Sequence, residues 1–78
     1  MELITGDLAE YVLKHILKEF DDRDARYKTP AVAGYFEECN AFTCFDNTSW
    51  NCWVEQAKTQ EMAAQWCLGK IEAEDLNM

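Results

Sequence analysis

Four thiols, one imidazole and an excess of carboxylates are the groups in this sequence with chemistry to offer. Thiolates are good nucleophiles and metal ligands, so Cys39, Cys44, Cys52 and Cys67 are the first residues to test. Their spacing argues against both roles. Cys39 and Cys44 lie five apart, Cys52 and Cys67 fifteen apart, and no C-x-x-C pair exists to seed a tetrahedral zinc site. The cysteines therefore read as reduced thiols filling a core. His15, the single imidazole, falls beside the apolar stripe of a helix with no paired nucleophile in the sequence around it. There is no glycine-rich phosphate loop, no G-x-S-x-G elbow and no H-E-x-x-H pair. No catalytic residue, metal or cofactor is expected. Asn47-Thr48-Ser49 matches a glycosylation sequon, but Asn and Ser also bond local backbone in turns, and turn chemistry is the reading adopted.

Charge narrows the choice of partner. Fifteen acidic against seven basic side chains give a net charge of −8, a field that repels phosphate backbones and attracts basic surfaces. Direct nucleic-acid binding is not expected, and a protein partner with a basic surface is. The acidic pieces Asp21-Asp22 with Asp24, Glu37-Glu38, and Glu72 with Glu74-Asp75 either copy nucleic-acid phosphates or form a solvated face. No apolar run reaches the 18 or so residues of a membrane span, and the N-terminal residues lack the pattern of a signal peptide. A cytoplasmic protein without a membrane partner is the expectation.

The chain length, 78 residues, suits one small domain. Asp7 followed by Glu10 has capping-box spacing, and Leu8, Val12, Ile16 and Phe20, with Tyr11, Leu13 and Leu17 beside them, recur at helical steps, so a helix is expected over about 7–21. A polar connection follows over about 22–34, where Pro30 disfavours helix. Two extended runs, 35–46 and 51–57, flank Asn47-Thr48-Ser49-Trp50 and read as a hairpin over about 35–57. With a type I turn and a bulge, Thr48 and Ser49 take the turn centre, Trp50 adopts a left-handed conformation, Phe45 opposes Trp53 and Cys44 opposes Val54. A one-residue slip would exchange the two faces. Thr59 caps a second helix over about 59–73, carrying Met62, Ala63, Trp66, Cys67 and Ile71 on its apolar side. The expected architecture is α+β, a single two-layer α-β-β-α domain with both helices on one face of the hairpin.

Aromatic area exceeds what so small a core can hide. Phe45, Trp50 and Trp53 at the hairpin, with Glu37, Glu38 and Glu55 as an acidic surround, are the expected partner-binding residues.

The run from Phe45 to Glu55 followed by Thr59-Gln60-Glu61-Met62-Ala63 and Trp66 resembles short proteins of bacterial phages and other mobile elements over about a third of the chain. There a D-N-T-x-G hairpin precedes a T-x-E-x-A helix, and here Trp50 stands in the glycine position. The resemblance implies a small acidic inhibitor, in the manner of anti-CRISPR proteins, and assigns no functional residue. The expected function is a non-enzymatic interaction module that occupies a basic nucleic-acid-binding surface of a host protein. The alternatives are a structural homo-oligomer assembled through the hairpin and a zinc or thiol-redox protein.

Overall fold

The computed structural model describes residues 2–21 and 23–77; Asp22, counted above in an acidic run, lies outside the described residues. The fold is α+β. Strand β1 (Ile4–Thr5) leads into helix α1 (Gly6–Glu19) and a short helix α2 (Arg23–Arg26). Strands β2 (Ala33–Glu38), β3 (Ala41–Asp46) and β4 (Trp53–Ala57) follow, then helix α3 (Gln60–Cys67) and a 3-10 turn (Ala73–Asn77). The sheet has four strands in the order β1-β2-β3-β4, with β1 parallel to β2 and the other pairs antiparallel.

This sheet is larger than the expected hairpin because the run 35–46 is two strands. Cys39 and Asn40 both have positive φ (52° and 64°) between the paired residues Glu38 and Ala41, as a two-residue hairpin turn of the primed type requires. Asparagine at a left-handed position was the available signal.

The helices cover opposite faces of the sheet, which corrects the two-layer expectation. Ala9, Leu13 and Ile16 of α1 pack with Phe36 and Phe45, while Ala63 and Cys67 of α3 pack with Ala33, Cys44, Ala57 and Leu76. Alternation of side chains along β3 explains the split, since Cys44 and Phe45 must point in opposite directions and both are buried. A four-stranded sheet apolar on both sides needs a cover on both sides.

Local signals set the helix ends. Thr5, not Asp7, occupies the α1 N-cap position and makes no side-chain cap bond; Glu10 instead accepts a 2.9 Å ion pair from Lys14 one turn on. The Thr59 side chain does accept from the Met62 amide at 3.2 Å. Helix α3 stops at Cys67, short of residue 73, because Gly69 takes φ +75°. The Gly69 and Lys70 amides donate back to the carbonyls of Trp66 and Gln65, closing a Schellman motif.

Gly34 admits β1. A Cβ there would collide with the Ile4 carbonyl oxygen and stand 2.7 Å from Ile4 Cγ1. Gly34→Ala should therefore lower unfolding free energy by about 1–3 kcal/mol, the usual range for forcing extra volume into a packed site. Urea denaturation checks this, and an unchanged midpoint would mean that the β1 pairing contributes nothing.

Candidate functional site

The outer strand β4 is the candidate interaction site, and its accessibility is decided by strand register. Across β2, β3 and β4 the residues stand in rows: Ala33-Asp46-Trp53, Gly34-Phe45-Val54, Tyr35-Cys44-Glu55, Phe36-Thr43-Gln56 and Glu37-Phe42-Ala57. Phe45 thus opposes Val54 rather than Trp53, one residue away from the expected register. The expected turn is present, with the Trp50 amide donating to the Asn47 carbonyl at 3.0 Å and Trp50 at φ 59°. Cys52, also at positive φ (49°), adds a further irregular residue before β4 begins. That extra residue moves the pairing by one position, and with it the faces exchange.

The consequence falls on the expected contact residues. Phe45 is fully buried against α1 and contributes no partner surface, a correction that follows from α1 covering the sheet face to which β3 turns it. Trp53 is 61% exposed at the start of the outer strand, and Val54, which sequence reasoning passed over, is 41% exposed on the opposite side of it. Glu55 is half-buried and shares the sheet face of Trp53.

Glu37 and Glu38 do not join this surface. Glu37 is on the Trp53 side of the sheet but four rows along and two strands across, a separation of about 13 Å by about 10 Å at ordinary strand spacings. Glu38 points to the α1 side, where its Oε2 accepts from Thr43 Oγ1 at 3.0 Å. The six expected residues therefore reduce to a site of Trp53 and Glu55, extended by Val54.

Trp50 belongs to the framework. It is half-buried, its Nε1 donates to the Thr29 carbonyl at 3.3 Å, and its ring meets Tyr27 edge-on with centroids 5.9 Å apart. Beneath it, Asn47 is wholly enclosed. Its Nδ2 donates to Thr29 Oγ1 at 3.0 Å and to the Pro30 carbonyl at 2.9 Å, and its amide donates to the Val32 carbonyl at 2.9 Å. The side chain bonds segments 17 and 18 residues away rather than its own turn, which corrects the local reading. The local bond comes from Asp46, whose Oδ1 accepts from the Thr48 amide at 2.9 Å. Asn47 is also closed to glycosylation in the folded state, because both the atom to be modified and its surroundings are inside.

The cysteines divide. Cys44 and Cys67 are buried, as core thiols should be; Cys52 is half-buried, and Cys39 is exposed at the β2–β3 turn. Burial pushes the Cys52 thiol upward from its ordinary range. Among the described residues, no group of three His, Cys, Asp or Glu is placed to hold a metal ion, and no helix is long and apolar enough to cross a membrane. No family model, curated protein or solved structure matches this chain.

Asn47→Asp preserves shape but replaces two donated hydrogen bonds with a buried acceptor facing acceptors. It should cost about 2–5 kcal/mol of unfolding free energy at neutral pH. Trp50→Ala should cost about 2–4 kcal/mol by emptying a partly enclosed site. Urea titrations followed by circular dichroism test both, and losses below about 0.5 kcal/mol, the scatter of ordinary surface changes, would refute the anchoring of the 29–30 connection by Asn47 and Trp50.

Proposed function

We propose that this chain is a small acidic, non-enzymatic protein-interaction module of the cytoplasm. It receives an extended Lys- or Arg-bearing segment of a protein partner along β4, with Trp53 as the apolar anchor. The partner surface is one that otherwise holds nucleic acid, so binding inhibits. The observation that carries the reading is an outer strand that pairs with no further strand among the described residues and exposes Trp53 and Val54 at 61% and 41%.

Three physical arguments support it. A strand at the end of a sheet presents unpaired backbone donors and acceptors, a template onto which another extended segment adds. Natural edges are commonly blunted by proline, by lysine or by a bulge within the strand; β4, Trp-Val-Glu-Gln-Ala, contains no proline or lysine. Aromatic anchors of the Trp53 kind dominate binding energy where they become enclosed. Charge selects what pairs there. A second copy of the chain, added antiparallel about the strand centre, would set Glu55 against Glu55 and bring together two molecules each of net charge −8. A basic segment turns the same charges into attraction, and this favours a foreign partner over self-assembly. The likeness to small phage and mobile-element proteins leads in the same direction.

Affinity capture from host lysate, run in parallel with wild type and Trp53→Ala, tests the proposal. Wild type should retain a basic nucleic-acid-binding protein that salt releases, since exposed charge attraction is screened over about 8 Å at physiological ionic strength. Trp53→Ala should fold with unchanged stability yet bind that partner at least about 30-fold more weakly, the scale of a hot spot worth about 2 kcal/mol. Glu37→Gln should bind nearly normally. Equal retention by wild type and Trp53→Ala would refute the role of this edge, and a salt-insensitive acidic partner would refute the charge argument.

A further inference from the structure

Which backbone groups β4 turns outward is fixed by the turn at the far end of β3. Cys39 and Asn40, at φ 52° and 64°, make a two-residue hairpin turn, and such a turn leaves its flanking residues, Glu38 and Ala41, hydrogen-bonded to each other. Bonded and non-bonded pairs alternate along antiparallel strands, so Thr43 and Phe45 also bond to β2, while Phe42, Cys44 and Asp46 turn their backbone groups to β4. Their opposites, Ala57, Glu55 and Trp53, are therefore bonded to β3. The Cys44 thiol, which donates to the Glu55 carbonyl at 3.4 Å, agrees, because that carbonyl must then point at β3. Val54 and Gln56 remain, with their N–H and C=O groups facing away from the sheet. The side chains alternate with the backbone. Trp53, Glu55 and Ala57 share the α3 face, and Val54 and Gln56 the α1 face. At the Ala57 end, Leu76 packs in the cluster that holds Ala57, which brings the 3-10 turn with Glu74 and Asp75 against β4.

We propose, resting on the function assigned to β4 above, that the partner segment adds antiparallel to this strand through the backbone of Val54 and Gln56 and presents five residues in a set order. From its N-terminus these are a basic residue facing Ala57, a polar one facing Gln56, a basic one facing Glu55, a β-branched one facing Val54 and an apolar one facing Trp53. The antiparallel sense continues the pairing of β2, β3 and β4, and it is the more stable of the two per residue.

The order follows from the pairing. Because the Glu55 backbone is turned to β3, the residue facing Glu55 stands in a non-hydrogen-bonded pair, where Cα atoms approach to about 4.5 Å and side chains meet most closely. A lysine or arginine there meets the carboxylate directly. Two residues on, the segment returns to the α3 face beside Trp53, where an apolar side chain encloses the exposed indole. Two residues back, a second basic side chain lies on the side of the Glu74 and Asp75 carboxylates. The intervening residues take the hydrogen-bonded positions and turn to the α1 face, one of them against exposed Val54. Alternation of basic and uncharged residues, as well as net charge, is what the strand selects.

Titration of the isotope-labelled wild-type chain with the peptide acetyl-Lys-Thr-Lys-Val-Ile-amide, followed by NMR amide shifts and hydrogen exchange, tests this. The Val54 and Gln56 amides should shift and become protected, while those of Trp53, Glu55 and Ala57, already bonded to β3, keep their protection. N-methylation of the peptide's Thr and Val removes the donors aimed at β4 and should weaken binding at least about tenfold. N-methylation of its central Lys and its Ile, whose N–H groups point away from β4, should change binding by less than about twofold. Exchanging the central Lys with Val, at the same composition and charge, should weaken it at least about threefold. The proposal is overturned if the two N-methylated peptides bind alike, or if no peptide moves the Val54 and Gln56 amides. Lysate capture with Trp53→Ala decides the underlying function separately: a Trp53-dependent partner beside indifference to N-methylation would leave the β4 site standing and overturn strand addition.

Discussion

A single buried amide holds the two irregular parts of this molecule together. Asn47 leaves the end of β3 and donates to Thr29 and Pro30, in the connection that precedes β2. A polar side chain at no solvent exposure must find partners inside or be strongly unfavourable, so the connection cannot drift from the β3–β4 loop without exposing those donors to an apolar interior. Trp50 closes the arrangement from above through Thr29 and Tyr27. With both ends fixed, β3 and β4 hold one register, and that register determines which β4 side chains share the α1 face and which the α3 face.

The division of faces follows. Phe45 goes inward to α1, Cys44 goes inward to α3, and Trp53 is left on the outer strand. A buried phenylalanine is worth about 1.5–3 kcal/mol relative to an exposed one, and Phe45, on β3, keeps that contribution whatever the register of β4, whereas slipping β4 would turn Trp53 toward the α1 side. It would also reverse Val54 and Glu55, placing a carboxylate toward the apolar α1 side. Under the proposed function, the acidity of the chain discourages a second copy at the exposed strand and favours a basic segment.

The pattern of the sequence made some of this legible. Apolar spacing located α1, Thr59 marked the start of α3, and the left-handed backbone at Trp50 followed from the turn type. Each rests on interactions within a few residues. The break at Cys39 and Asn40 was concealed because 35–46 is long enough, and apolar enough on both faces, to pass for one strand. The register was lost to Cys52, whose positive φ has no signature in a residue that ordinarily avoids it. The partner of Asn47 could not be read at all, since its bonds reach back 17 and 18 residues. Phe45 was accordingly placed on the contact surface and belongs to the core, while Trp53 is exposed on the outer strand. Glu37 and Glu38 are adjacent in sequence, and the pleat sends them to opposite sides of the sheet.

Amide hydrogen exchange along β4, followed residue by residue by NMR at low and high protein concentration, addresses the open edge most directly. An outer antiparallel strand bonds its neighbour through every second residue and presents the intervening amides to water. The account predicts alternating slow and fast exchange from Trp53 to Ala57, independent of concentration, beside uniformly slow exchange through the centre of β3. Slow exchange at every β4 amide, or protection that grows with concentration, would contradict it by showing that the edge is already covered.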